Sequence, residues 1–174
     1  MRFYYYWIAV IVFAIDYITK KIVATQMNLY DQISVIGNFF LITSHRNRGA
    51  AFSILQDQRF FFIVITILIV AGIIWYAHAN RNSGKGWLLT GLGLVLGGAL
   101  GNFLDRALYG EVVDFLMFNF GSYTFPIFNV ADSGICVGVA LILIDTLISA
   151  KNEKSDKASQ GEDKESNEHE QQPV

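Results

Sequence analysis

Two aspartates, Asp114 and Asp132, stand where a carboxylate is costly to keep. Asp114 follows Val112 and Val113 and precedes Phe115, Leu116 and Met117, so it is a lone acid in an apolar, strand-like stretch. Asp132 lies in FNVADS, at the mouth of the long apolar run FNVADSGICVGVALILIDTLISA. The 17 residues between the two acids allow a loop to leave and return, bringing them together. Two close carboxylates cannot both ionise cheaply, so one keeps a proton and the other is a base. Such a pair can activate a water and protonate a leaving amine, the chemistry of aspartic proteolysis. Spacing alone leaves two alternatives open: a cation site, and for Asp132 a favourable charge at a helix start.

Other polar residues surround the pair in the sequence. Asn47 lies in RNRGAAF, Asn102 in GALGNFLDR and Asn129 in FNVADS, all beside membrane entry points on the same predicted face. An amide both donates and accepts, so it suits orienting an acid or a peptide backbone. Asn129, three residues before Asp132, is equally well placed as a plain N-cap. Asp105 and Arg106 end an apolar run, where a charged helix stop is ordinary; Arg106 could also neutralise a carboxylate or hold a substrate carbonyl. Asp16, four residues before Lys20, reads either as a site residue or as half of a helix-end ion pair. Asp145 comes 13 residues after Asp132, which is about 20 Å along a helix at roughly 1.5 Å per residue. That places it near the opposite membrane face as an interfacial carboxylate.

These residues must be positioned by a membrane scaffold. Of the 174 residues, 53% are hydrophobic, in long blocks, and the mean hydropathy is +0.38. A span needs roughly 20 mostly apolar residues. The runs at about 3–23, 60–77, 87–104 and 128–150 meet or nearly meet that length, giving four transmembrane helices. The first resembles a secretory signal, but Asp16, Lys20 and Lys21 and the missing A-x-A site favour an uncleaved span. The intervening segments, about 24–59 and 105–127, are aromatic, β-branched and turn-punctuated. They predict a small extracytoplasmic β-sheet, with a bulge near Gly37. Gly93, Gly97 and Gly101 form a four-residue stripe that lets another helix approach closely.

Four spans put both termini on one side. Trp7, Trp75 and Trp87 fall at one face, as an aromatic belt would place them, and Lys/Arg counts of seven inside against six outside lean the same way. The tail, 151–174, carries four Lys against seven acids and almost no apolar residue, so it is expected to be a disordered, charged cytoplasmic segment. The one cysteine, Cys136, excludes an intramolecular disulfide. The three histidines show no zinc-site spacing. A net charge of −2 gives no footprint for nucleic acid.

Taken together, the blocks DYITK (16–20), NRGAAFS (47–53), GGALGNFLDR (97–106), EVVDF (111–115) and FPIFNVADS (125–133) closely match one family. The chain resembles lipoprotein signal peptidase, or signal peptidase II, a family of bacterial aspartic peptidases of the cytoplasmic membrane, over roughly residues 10–148. The resemblance implies a four-helix membrane protein with a small extracytoplasmic sheet. It implies cleavage of diacylglyceryl-modified prolipoproteins just before the lipidated cysteine, and sensitivity to globomycin-type cyclic peptides. On the same footing Asp114 and Asp132 are the catalytic dyad, Asn47, Asn102, Arg106 and Asn129 line the site, and Asp16 and Asp105 support it. No cofactor or metal is implied. Membrane lipids are the surroundings, a monomer suffices, and the alternative is a small transporter or channel using the same carboxylates.

Overall fold

The computed structural model describes residues 3–49 and 56–170. The second half of the NRGAAFS block (50–53), Arg2 and the last four residues of the tail lie outside them. The elements run in the order α1 (Tyr4–Gln26), β1 (Gln32–Ile36), β2 (Phe40–Asn47), α2 (Arg59–Ala79), α3 (Gly86–Tyr109), β3 (Val112–Phe120), β4 (Tyr123–Thr124) and α4 (Val130–Glu170). The chain is therefore mostly helical with one small antiparallel sheet, ordered β1-β2-β3-β4.

Helices α2, α3 and α4 are each long and apolar enough to cross a membrane. Helix α1 has 23 residues, but Asp16, Lys20 and Lys21 interrupt its apolar run. Helix α2 is apolar on every side, yet Phe60, Ile67, Leu68 and Trp75 are exposed. An apolar helix with an exposed surface makes physical sense when its solvent is hydrocarbon.

The buried helix is α3, and its glycines explain how it takes neighbours on two sides. On one side a Cβ at Gly93 would lie 2.6 Å from the Tyr5 carbonyl oxygen, and one at Gly97 2.5 Å from that of Ala9. The predicted stripe is thus the α1 contact. On the other side a Cβ at Gly91 would lie 2.6 Å from the Gly138 oxygen, and one at Gly98 would run into Ala131, both on α4. Small residues let backbones meet where apolar burial offers no drive in lipid. The helix ends away from the sheet close over Tyr5, Ala77, Leu88, Leu89 and Leu92.

Three expectations change. Gly37 (φ 49°) sits in the β1–β2 turn rather than at a bulge, and the irregular register falls at Ser34–Ile36. Helix α4 does not stop near residue 150 but continues to Glu170. Its Lys, Glu, Ala and Gln are good helix formers, and elongating a formed helix avoids the cost of nucleation. Asp145 lies at the end of the bundle away from Asp132, as expected, but it is buried and accepts the Leu88 N–H at 3.4 Å. Helix α3 has no side-chain cap of its own, so a carboxylate from α4 answers one of its orphan donors.

Candidate active site

The site is built where α4 begins. Asn129 is its N-cap: Asn129 Oδ1 accepts from the Asp132 N–H at 2.9 Å, and the Asn129 N–H donates to Asp132 Oδ2 at 3.3 Å. This is a capping box written with Asn and Asp, and it fixes where the Asp132 carboxylate points. The neighbouring orphan donor, Ala131 N–H, is taken by Asp16 Oδ1 at 2.8 Å. A residue of α1 therefore caps α4.

Asp114 comes from β3, and the end of α3 places it. Gly110 takes the left-handed conformation (φ 78°) and its N–H bonds to the Arg106 carbonyl. That closes the helix and turns the chain straight into the strand. Strand β3 pairs with β2, setting Asp114 opposite His45. Asp114 Oδ1 accepts from Asn129 Nδ2 at 2.7 Å, and Oδ2 from Asn47 Nδ2 at 2.9 Å. The Asn47 amide is oriented in turn by the Gly49 N–H, 2.9 Å from its Oδ1.

Asn129, fully buried, thus touches both acids: it donates to Asp114 and accepts from the backbone of Asp132. Asn102 Nδ2 supplies a further donor, 2.7 Å from Asp132 Oδ1. The orientation of that amide is set by Lys20, whose Nζ lies 2.8 Å from Asn102 Oδ1, and by Asn129 Nδ2, 3.2 Å from the same oxygen. An ammonium cannot accept, so the oxygen must face it and the nitrogen must face Asp132. Lys20 is itself sealed between Asp16 (2.8 Å) and Asp105 (3.1 Å). Asp105 also lies 3.4 Å from the Val113 N–H, so it supports β3 from behind.

A cavity of about 780 Å³ opens onto the pair, with Asn47, Asn102, Arg106, Asp114 and Asp132 at its polar end. Phe125, Phe128 and Ile135 give it an apolar wall. The wall is braced by Phe128 stacked on Phe118 at 5.8 Å, and Phe118 on Phe40 at 4.7 Å. Arg106 lies over the Phe62 ring, 4.7 Å from its centroid, and donates to the Gly49 carbonyl at 2.9 Å. Burial first, and then the charge of Asp132, push the Asp114 carboxyl up to about 7, against the amides of Asn47 and Asn129 and the charge of Lys20. Near neutral pH the pair can hold one proton, as acid–base hydrolysis requires.

All eight residues singled out in the sequence fall in one network, but in two layers. Asn47, Asn102, Arg106, Asp114 and Asp132 face the cavity, with Asn129 joining the acids beneath it. Asp16 and Asp105 do not face it; they hold Lys20. Lys20 is the residue that sequence reasoning missed. Its signal was present, since Asp16 and Lys20 share a helix face at i, i+4 in an apolar run, as do Asn102 and Asp105 at i, i+3. His45 also lines the cavity and carried no such signal.

Comparison with known proteins bears on this geometry. The family described as signal peptidase (SPase) II matches residues 8–148. A lipoprotein signal peptidase of Bacillus pumilus (strain SAFR-032) is 49% identical over 151 residues, covering 87% of this chain and 97% of that protein. A structure described as a bacterial membrane enzyme, solved by the in meso method at 2.3 Å, superposes with a TM-score of 0.77 at 45% identity, covering 83% of this chain and 88% of its own. Another, described in the same words at 1.9 Å, gives 0.72 at 46% identity, with 80% and 90% covered.

Proposed function

The chain belongs to the signal peptidase II family of aspartic peptidases, and on that premise we propose that Asp114 and Asp132 are the dyad with which it cleaves diacylglyceryl-modified prolipoproteins just before the lipidated cysteine. The observation that carries this reading is Asn129, buried and bonded to both of the acids that line one cavity. In the reaction, a water loses a proton to the ionised carboxylate and attacks the scissile carbonyl, while the protonated carboxyl donates to the carbonyl oxygen. Collapse of the tetrahedral intermediate breaks the C–N bond, the amine leaves with a proton and the pair regains its single proton. Asp114, raised by burial, is the member that keeps the proton, and Asp132 is the base.

The setting follows from the helices. We count α1 as a fourth span, because Asp16 and Lys20 neutralise one another inside the protein. Trp7, Trp75 and Trp87 are exposed at the end away from the dyad, which supports an inner belt, cytoplasmic termini and a dyad at the extracytoplasmic face of the bacterial cytoplasmic membrane. There the diacyl chains of a substrate stay in lipid while the scissile bond reaches the cavity. The apolar wall of Phe125, Phe128 and Ile135 suits an apolar signal segment or a globomycin-type cyclic peptide. The deciding assay offers purified enzyme the same precursor with and without its diacylglyceryl group. Cleavage of the lipidated form alone is expected; equal cleavage of both would overturn the lipid requirement.

Two further outcomes are expected of this chemistry. Activity should fall on the alkaline side as pH rises through about 7, where Asp114 loses its proton. Asn47→Ala removes an amide that favours the charged form, so the alkaline limb of kcat/KM should move to higher pH, not lower. For stability the sign is the same: the contribution of a carboxyl raised above its unfolded value is complete below that value, near 4, and is lost as pH rises through about 7. Asp145→Asn keeps an acceptor for the Leu88 N–H, so processing should stay near wild type with a stability change within about 1 kcal/mol. An inactive Asp145→Asn enzyme would mean that this end of α4 serves the dyad.

A further inference from the structure

A second cavity, of about 420 Å³, lies behind the β2–β3 pair and shares no residue with the dyad cavity. The alternation of the strands explains the separation: His45 and Asp114 face the dyad side, while Arg46 and Val113 face this one. Its other walls are the outer turns of α1, with Lys21 and Thr25, and the end of α3, with Tyr109. The acids here are already engaged. Asp105 holds Lys20, and Glu111 lies 3.1 Å from Arg48 and 3.7 Å from Arg46. The donors left over are different. Lys21 has no ion pair among the described residues; its ammonium lies over the Tyr17 ring, 6.0 Å from the centroid. Arg46 spends Nη1 on Ser44 and the His45 carbonyl and turns Nε to Glu111, which leaves Nη2, and the Tyr109 side chain is exposed at the rim.

Unspent cationic donors around a pocket call for an acceptor-rich anion, and a phosphate diester meets that need. What lies beneath the pocket decides its source. Down the same face of α1 run Tyr17, Phe13 and Val10, at helical spacing, with Phe13 stacked on Tyr17 at 6.4 Å. Val10 and Tyr17 are exposed. A polar pocket at the hydrocarbon boundary above an apolar strip has the zoning of a lipid, headgroup above chains. We propose that this cavity binds the headgroup of an anionic glycerophospholipid of the outer leaflet, through Lys21, Arg46 and Tyr109, with an acyl chain along Tyr17, Phe13 and Val10.

This rests on the membrane placement above but not on the dyad, so binding is measured on full-length Asp114→Asn protein, where failure of the chemistry cannot mask it. The protein is placed in phosphatidylcholine nanodiscs, phosphatidylglycerol is titrated in, and the melting midpoint and the lipid retained in native mass spectrometry are read. Phosphatidylglycerol should raise the midpoint by several degrees, as a ligand of the folded state does. Lys21→Glu should weaken the apparent affinity about tenfold, the scale of one charge-assisted contact. Arg46→Gln should weaken it likewise and stands in if Lys21→Glu folds poorly, while Lys85→Glu, at the other end of the bundle, should change nothing. Equal midpoints in the two lipids, or undiminished binding by both pocket variants, would overturn the site. Full protection by soluble glycerol 3-phosphate would overturn the lipid as its source.

Discussion

Replacing Asp114 or Asp132 by Asn is expected to leave the protein folded in the membrane and to lower processing of a lipidated precursor by roughly 10⁴-fold or more, the scale seen when one member of a catalytic unit is lost. The two substitutions should reach this result by different routes. Asp132→Asn keeps an amide oxygen for the Asn102 Nδ2 donor, and the backbone N–H of residue 132 still donates to Asn129 Oδ1; only the 3.3 Å contact from the Asn129 N–H loses its acceptor, so stability should change little. What goes is the base. Asp114→Asn sets an amide against the amides of Asn47 and Asn129, both of which donate to the carboxylate; one donor contact survives at each carbonyl lone pair only if the side chain turns. At a position buried to 99% of its surface that adjustment is tight, so a loss of about 1 kcal/mol in stability should accompany the loss of activity. The combined variant should be no less active than either single one, because the acids act as a unit. Normal processing by either single variant, measured as conversion of precursor to mature lipoprotein, would remove the dyad from the mechanism.

How much of this could be read from the sequence follows from the range of the interactions. The three apolar spans, the sheet segments and the close-packing glycine stripe of α3 depend on local pattern, and their periodicity carries them. The meeting of Asp114 and Asp132 at one cavity is less local, yet two costly acids, each beside an apolar run, made it inferable. Three features were not legible. Lys20 looked like the end of a helix because it was compared with Asp16 alone; Asn102 and Asp105, which bury it, lie more than 80 residues on. Asp145 looked interfacial because distance along a helix says nothing of the neighbour at that depth; α3 starts there and needs a cap. The continuation of α4 was masked by composition: a tail too polar to build a core can still extend a helix nucleated elsewhere. In each case a backbone or charge requirement of a distant element decided the outcome.

Lys20→Met offers the sharpest test of the layer beneath the dyad. The ammonium is 3% exposed and lies between two carboxylates, Asp16 and Asp105, that are also buried. Removing it leaves two buried acids facing one another with no cation, and breaking a buried pair in this way costs about 3–5 kcal/mol. Low yield or a lowered melting midpoint is therefore expected, but a purely structural lysine would give the same result. The discriminating variant adds Asp16→Asn and Asp105→Asn. With all charge gone from the cluster, the electrostatic penalty disappears, since replacing a buried ionic group by neutral residues is often close to neutral. The Asp16→Asn change still leaves an amide oxygen to accept from the Ala131 N–H, the role the Asp16 carboxylate plays at 2.8 Å. What the triple variant cannot restore is the charged donor on the Asn102 oxygen, which is then held by the Asn129 Nδ2 contact at 3.2 Å without the ammonium. Held less firmly, that amide can turn its oxygen toward the Asp132 carboxylate, where the contact is repulsive instead of bonding. Stability should thus return while kcat stays reduced, by about tenfold for one misdirected charge-assisted hydrogen bond. Recovery of kcat along with the melting midpoint would reduce Lys20 to a counter-ion; recovery of the midpoint alone would establish that it positions Asn102, and through it the base.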